Sequence, residues 1–448
     1  MTILKSALML SACLCFPYLA SAEGPTEDQE PSNKLKPVAE ATKLFSGARS
    51  VPENWTKGAK VLLKAPDVEE LEFLVKKLGL GKKGAPSTKL VPFKMPKAEA
   101  PRLLIDAMNL LRKSQEHSAA AVAWARDRVA SGKAVEAYCF LPMACSADDE
   151  VSINTARIWF AMARGVDPCL YRCCVMAAER IPGKKGGAVL VEELKAFEDK
   201  KDFYHGWHDV REALVRMTGN PKAVMAADFS KILAGEKLEN VERVAGYGPI
   251  ESLVYGRVYG QGIVFIIDIS HSMVAKGTPK AMSSDSGSKW EGARIDLVKK
   301  EMEDILSKLP PETKFNIINF CNLPLPWKTQ LVSASPENIA EAKKFVHAIE
   351  AIGATNVSDT LHMVLGMAGV DAIYFMGDGI PSRSQIDMDA ILYDISVANL
   401  QKNIRINTTA MIFGSGPYDD LEAEKVPRLK AFLENLALYN HGEHLLID

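Results

Sequence analysis

The sequence predicts two architectures in tandem. An all-α region, a helical-repeat array or a plain bundle, covers residues 36–246. An α/β unit with a doubly wound, mostly parallel sheet covers 255–448. Three observations lead there. Before Tyr247, apolar residues recur three and four apart in short segments punctuated by Gly, Pro and Asp, with no strand pattern. From Tyr247 onward, short β-rich apolar runs alternate with amphipathic segments. At 448 residues the chain also exceeds one ordinary domain.

The first residues read as an export signal. Lys5 gives a positive start, an apolar run spans Ala7 to Leu19, and Ala20-Ser21-Ala22 is a small-x-small cleavage site before Glu23. The run is too short to span a bilayer, so residues 1–22 are expected to be removed and the chain secreted or periplasmic. Leu10-Ser11-Ala12-Cys13 offers a second reading, a lipid anchor on Cys13. Residues 23–35, rich in Pro and Glu, read as a flexible leader. Helices follow from the periodicity of Leu71, Leu74, Val75 and Leu78, and of Leu103, Leu104, Met108 and Leu111, with a Lys- and Pro-bearing connector at Gly79–Pro96. Further helices are expected at Ala119–Ala130, Val151–Arg164, Leu170–Arg180, Val189–Phe197, His208–Thr218 and Val224–Leu233. The stretch REALVRMTGN, Arg211–Asn220, resembles the end of a HEAT-like repeat. Five of the eight cysteines, Cys139, Cys145, Cys169, Cys173 and Cys174, fall in this region. Export permits disulfides; a helical core equally accepts buried thiols.

In the second unit, IVFII at Ile263–Ile267 is a continuous β-branched and aromatic run, the pattern of a strand buried on both faces. Trp290–Leu309 is an amphipathic helix and Phe315–Phe320 a second strand. Trp327–Val332 is expected at the sheet edge. Helices at Pro336–Ala351, Ser358–Gly366, Met388–Leu400 and Leu421–Tyr439 then alternate with strands at Ala372–Met376, Ile404–Phe413 and His444–Ile447.

The chemistry gathers at strand ends. Asp268, Ser270 and Ser272 sit two apart just after the first buried strand, so their oxygens can point to one side. Thr355 lies in Gly353-Ala354-Thr355-Asn356, a loop before a helix, and Asp378 follows a strand in Phe375-Met376-Gly377-Asp378-Gly379. Ligands of open α/β sheets bind at this edge. All five residues offer oxygen, which suits a hard divalent cation. Together with RIDLVKKEM at 294–302 and KFNIINF at 314–320, these pieces resemble von Willebrand factor type A domains and their metal-ion-dependent adhesion site, and in particular secreted bacterial members with a helical N-terminal region. The resemblance covers about Tyr255 to Asp448. It implies Ser270, Ser272 and Thr355 as direct ligands of Mg2+, or of Mn2+ or Ca2+, with Asp268 and Asp378 acting largely through water. It also implies an open corner that takes an acidic residue of a protein partner. His271, Ala354 and Gly377 depart from the common residues at their positions.

A net charge of -2 gives no global field for nucleic acid or an anionic membrane, and no later segment is apolar enough to span a bilayer. No phosphate-binding loop, nucleophile elbow or H-E-x-x-H is present. The expected function is therefore a non-enzymatic, exported adhesion or interaction module. Two alternatives stand beside it: a metal-dependent hydrolase with His271 as base, and a structural envelope protein that the metal stiffens. His205 and His208 are expected as a surface or half-buried pair, and Cys321 as a buried thiol.

Overall fold

A computed structural model describes residues 67–78, 109, 117–200, 206–238, 249–279, 292–400, 402–415 and 425–448. The signal sequence, the leader, the 79–96 connector, nearly all of the Leu103–Leu111 helix and the Tyr247 junction lie outside them.

The first part is helical: α1 (Val68–Leu78), α2 (Ala119–Val129), α3 (Ala134–Ala144), α4 (Glu150–Ala163), α5 (Pro168–Arg180), α6 (Lys184–Lys200), α7 (Gly206–Thr218) and α8 (Ala226–Ala234). Side-chain caps set several starts. Ser118 accepts Ala121 N–H at 3.1 Å, Asp149 accepts Ser152 N–H at 2.8 Å, and Asp167, followed by Pro168, accepts Leu170 N–H at 3.0 Å. Helix α3 was not expected from the sequence. Pro142 falls within it and its residues from Glu136 to Ala144 are all buried, so neither a breaker-free run nor an amphipathic period marks it. All six cysteines among the described residues are buried and none is joined in a disulfide.

The second part holds a ribbon of β1 (Ile250–Ser252) and β2 (Gly256–Val258), then β3 (Gly262–Asp268), a 3-10 turn (His271–Val274) and β4 (Lys276–Gly277). Next come β5 (Gly292–Ala293), α9 (Arg294–Lys308), β6 (Lys314–Phe320), β7 (Pro324–Pro326), β8 (Val332–Ser333), α10 (Pro336–His347) and α11 (Val357–Leu365). The chain closes with β9 (Ala372–Gly377), α12 (Met388–Asn399), β10 (Arg405–Met411), α13 (Lys425–Tyr439) and β11 (His444–Ile447). The main sheet runs β11-β10-β9-β3-β6-β7, with β8 also on β6. Its first five strands are mutually parallel; β7 and β8 are antiparallel to β6. Alternation along β3 divides the core. Ile263, Phe265 and Ile267 pack with Ile295, Val298 and Met302 of α9. Val264 and Ile266 face the other way, with Leu361 of α11, Ile391 of α12 and Leu433 of α13.

The edge differs from expectation. Trp327–Leu331 forms no strand; pairing falls to Pro324–Pro326 and Val332–Ser333 on either side. Asn316 supplies the reason. Its side chain accepts Lys328 N–H (3.1 Å) and donates to the carbonyls of Lys328 (2.7 Å) and Gln330 (3.3 Å), taking the bonds a ladder would otherwise provide. Two prolines are tolerated in β7 because it is an edge strand.

The helical part docks on the amino ends of the parallel strands. Asn403 Nδ2 donates to Cys169 O (3.1 Å), Arg172 Nη1 donates to Asn403 O (2.7 Å), and Arg257 pairs with Glu212 (2.8 Å). His208, expected near the surface, is buried here, its ring 4.6 Å from that of Tyr259; His205 lies outside the described residues.

Candidate metal centre

Strand β3 sits where the sheet's order reverses, between β6 and β9. The carboxyl ends of β3 and β9 therefore open side by side, which makes a crevice. Asp268 ends β3, and its Oδ1 accepts Ser270 N–H at 2.8 Å, folding the following turn back on the strand. That turn sets Ser270 Oγ 3.0 Å from Ser272 Oγ, and Ser272 Oγ donates to Asp378 Oδ1 at 2.8 Å. Four of the five sequence-predicted residues thus form one hydrogen-bonded chain.

Thr355 reaches the same edge from a third loop. Its N–H donates to Ser382 Oγ (3.0 Å) and its carbonyl accepts Ser382 N–H (2.9 Å), so the β9–α12 loop holds it. Asn322 Oδ1 accepts Ala354 N–H (3.1 Å), and Asn356 caps α11. Gly379 marks the convergence. A Cβ placed there would stand 2.9 Å from Thr355 Oγ1 and 3.6 Å from Ser272 Oγ. Gly377 is similarly crowded: its Cβ would meet Phe375 at 3.2 Å and Asp268 Oδ2 at 3.5 Å.

The electrostatics are unusual for a folded interior. Asp268 is fully buried, and its Oδ2 has no hydrogen-bond partner. Burial, and secondly the charge of Asp378, push its carboxyl up to about 8. A buried acceptor left empty costs about 1–3 kcal/mol unless something satisfies it. Arg294, at the first position of α9, was not foreseen as part of this site. Its Nη1 donates to Asp378 Oδ2 at 2.8 Å, and its Nε donates to Phe413 O at 2.7 Å, with almost no exposure. The sequence reading starts this helix at Trp290, which puts Arg294 inside it, so no local signal marks the residue; at the observed helix start its charge opposes the helix dipole and finds an anion in Asp378. His271 is exposed and opens the 3-10 turn, its backbone N–H donating to Gly353 O (3.1 Å). Cys321 is buried. Among the described residues no group of three His, Cys, Asp or Glu side chains gathers to hold a metal, so any cation here depends on hydroxyls.

The comparisons with known proteins agree with the fold. Residues 281–415 match the family model for the von Willebrand factor type A domain; the match includes Thr355 and Asp378 and begins after the Asp268–Ser272 turn. Inter-alpha-trypsin inhibitor heavy chain H4 of Bos taurus is 30% identical over 187 residues, 41% of this chain and 18% of that protein. The chain thus spans about a fifth of the length of the curated relatives it matches. Among solved structures, a von Willebrand factor type A protein from Catenulispora acidiphila is similar at 15% identity and a TM-score of 0.32, covering 44% of this chain and 43% of that one. Proximal thread matrix protein 1 from the mussel byssus, with a zinc-occupied MIDAS motif, is similar at 17% identity and a TM-score of 0.28, covering 42% and 41%.

Proposed function

The chain carries a von Willebrand factor type A domain, and from that premise we propose that it grips an acidic group of a protein partner through a divalent cation held by Asp268, Ser270, Ser272, Thr355 and Asp378. One observation supports the reading: the oxygens of Ser270, Ser272 and Asp378 gather within hydrogen-bond distance of one another at the end of β3, beside the buried Asp268 carboxyl whose Oδ2 has no hydrogen-bond partner. The Ser270–Ser272 and Ser272–Asp378 separations, 3.0 and 2.8 Å, are the hydrogen bonds of the cluster without an ion. Oxygens about 2.1 Å from Mg2+ lie about 3 Å apart along an octahedral edge, so direct hydroxyl ligands would need little movement.

When bound, the ion supplies a Lewis-acid position for a carboxylate. The chain's own residues tune that position. Ser270, Ser272 and Thr355 offer neutral oxygens, and Arg294 offsets the charge of Asp378, so little negative charge remains to satisfy the cation. A partner's Asp or Glu then contributes the missing anion. Around the edge, Leu323, Ile352 and Ile386 are 63%, 50% and 60% exposed, which favours an acid set among apolar neighbours. No helix among the described residues is long and apolar enough to cross a membrane. We carry forward the export reading of residues 1–22 and the domain limits 36–246 and 255–448 as part of the proposal. His271 alone carries the hydrolytic alternative, and no observation favours it.

The test is calorimetry of Mg2+ into chain stripped with EDTA, then of a glutamate-centred peptide with Leu or Ile neighbours into the loaded chain. Mg2+ should bind, and Asp378→Ala should abolish that binding. Leu323→Ser with Ile352→Ser should weaken the peptide while sparing the metal. Peptide binding that survives EDTA would defeat the proposal.

A further inference from the structure

A second polar site lies at the opposite end of the sheet, where the helical part meets the amino ends of β9 and β10. A cavity of about 180 Å3 opens there. A single water needs only roughly 10–15 Å3, so the space suits a group of several atoms. Arg164, Arg172, Lys200 and Arg405 line it, against Asp209 and Asp371.

The pairing among these groups is incomplete in one direction. Asp371 Oδ1 accepts Gln261 N–H (3.0 Å) and Gly262 N–H (2.5 Å). Asp209 pairs with Arg405 and stands 3.5 Å from Arg172 Nε. Arg164 pairs with Glu193. Arg172 is shared between the two carboxylates, its Nε 3.5 Å from Asp209 and its Nη2 3.7 Å from Asp371. Arg405 Nη1 has no hydrogen-bond partner, although Arg405 is only 3% exposed, and no lining side chain leaves an acceptor orphaned. Arg405 also lies over the Tyr259 ring (4.2 Å), and burial drives its guanidinium well below its usual range, so the charge lacks solvation. Pro168, at the start of α5, and Gly206, at the start of α7, also line the cavity and bring two positive helix ends to it.

We infer that this interdomain cavity binds a small oxyanion, of phosphate or carboxylate type, held by Arg172 and Arg405 with Lys200 at its mouth. Four cations face two carboxylates here and Arg405 Nη1 is left over, so an acceptor-only ligand is what the cavity needs, and planar guanidinium forks match such oxygens. Because Arg172 and Lys200 belong to the helical part and Arg405 to β10, the bound anion ties the two parts together. The site shares no residue with the candidate metal centre.

The experiment uses the full chain in EDTA, so that no cation site contributes. Inorganic phosphate and, separately, malonate are titrated at constant ionic strength with chloride, following the melting temperature and calorimetric heat. Phosphate stabilises folded proteins generally through exclusion, a non-saturating effect, so saturation at low millimolar or below is the readout. At least one of the two anions should saturate, and which one does identifies the ligand class. Lys200 is exposed, so Lys200→Glu should fold and weaken binding at least threefold. Asp209→Asn removes the competing carboxylate and should tighten it. Absence of saturation with both anions, or unchanged affinity in Lys200→Glu, overturns the inference and leaves water as the occupant.

Discussion

His208 should make the chain acid-labile by a calculable amount. Its ring is buried between Trp207 and Tyr259, neither nitrogen has a hydrogen-bond partner, and Arg257 of β2, Arg211 of α7 and Arg405 of β10 surround it. Burial, then those three cations, hold its pKa down at about 3, against an ordinary value of 6.5. The folded state therefore binds fewer protons than the unfolded chain between these values. Its stability contribution is complete above the unfolded pKa and is lost as pH falls toward 3. At pH 7 almost none of it is lost. At pH 4.5, two units below the unfolded pKa, the loss is on the order of 3 kcal/mol. The measurement is urea unfolding of the wild type and of His208→Gln at both pH values. Any packing cost of glutamine appears at both and cancels. The wild type should lose roughly 2–3 kcal/mol more than the variant between pH 7 and 4.5. Equal losses would show that the imidazole accepts a proton without leaving the interface, and the reasoning would fail.

Two further outcomes concern the metal edge. Arg294→Gln strands the buried Asp378 carboxylate, so unfolding free energy in EDTA should fall by about 3–5 kcal/mol. Mg2+ should restore more stability to this variant than to the wild type, since nothing then offsets Asp378; denaturant melts with and without Mg2+ check both points. Gly379→Ala drives a methyl toward Thr355 Oγ1, 2.9 Å from the Cβ position. Mg2+ affinity should drop about tenfold, roughly 1.4 kcal/mol, beyond any fall in the EDTA-state melt, which is measured alongside; calorimetry matching the wild type would remove Thr355 from the ligand set.

Most of the α/β unit was legible because its signals are local. The run Ile263–Ile267 had to be a two-sided strand, and the period of α9 fixed its buried face. Asp268, Ser270, Ser272 and Asp378 could likewise be read off strand ends, and the structure links these four through hydrogen bonds, with Thr355 in a neighbouring loop. What escaped depended on distant partners. Helix α3 carries a proline and no polar face, so only its neighbours specify it. The edge near Trp327 turns on one side chain, Asn316, bonding across a gap of twelve residues. Arg294 resembles an ordinary helix residue until Asp378, 84 positions away, is set beside it. His208 carried no mark of burial, because its cover comes from β2 and β10, which the sequence places far downstream.

The docking of the helices on the amino ends of the strands bears on how the chain can be divided. Tyr259, Val370 and Arg405 belong by sequence to the sheet, yet helical residues pack against or pair with all three. Excising the C-terminal unit for separate expression would turn an aromatic ring, an aliphatic side chain and a naked guanidinium out to water together. The fragment's sheet would keep its strands but gain a sticky underside, whereas the opposite rim, pointing away from the cut, would be untouched. A soluble recombinant form should therefore retain α5 and α7, the two helices that act as its floor.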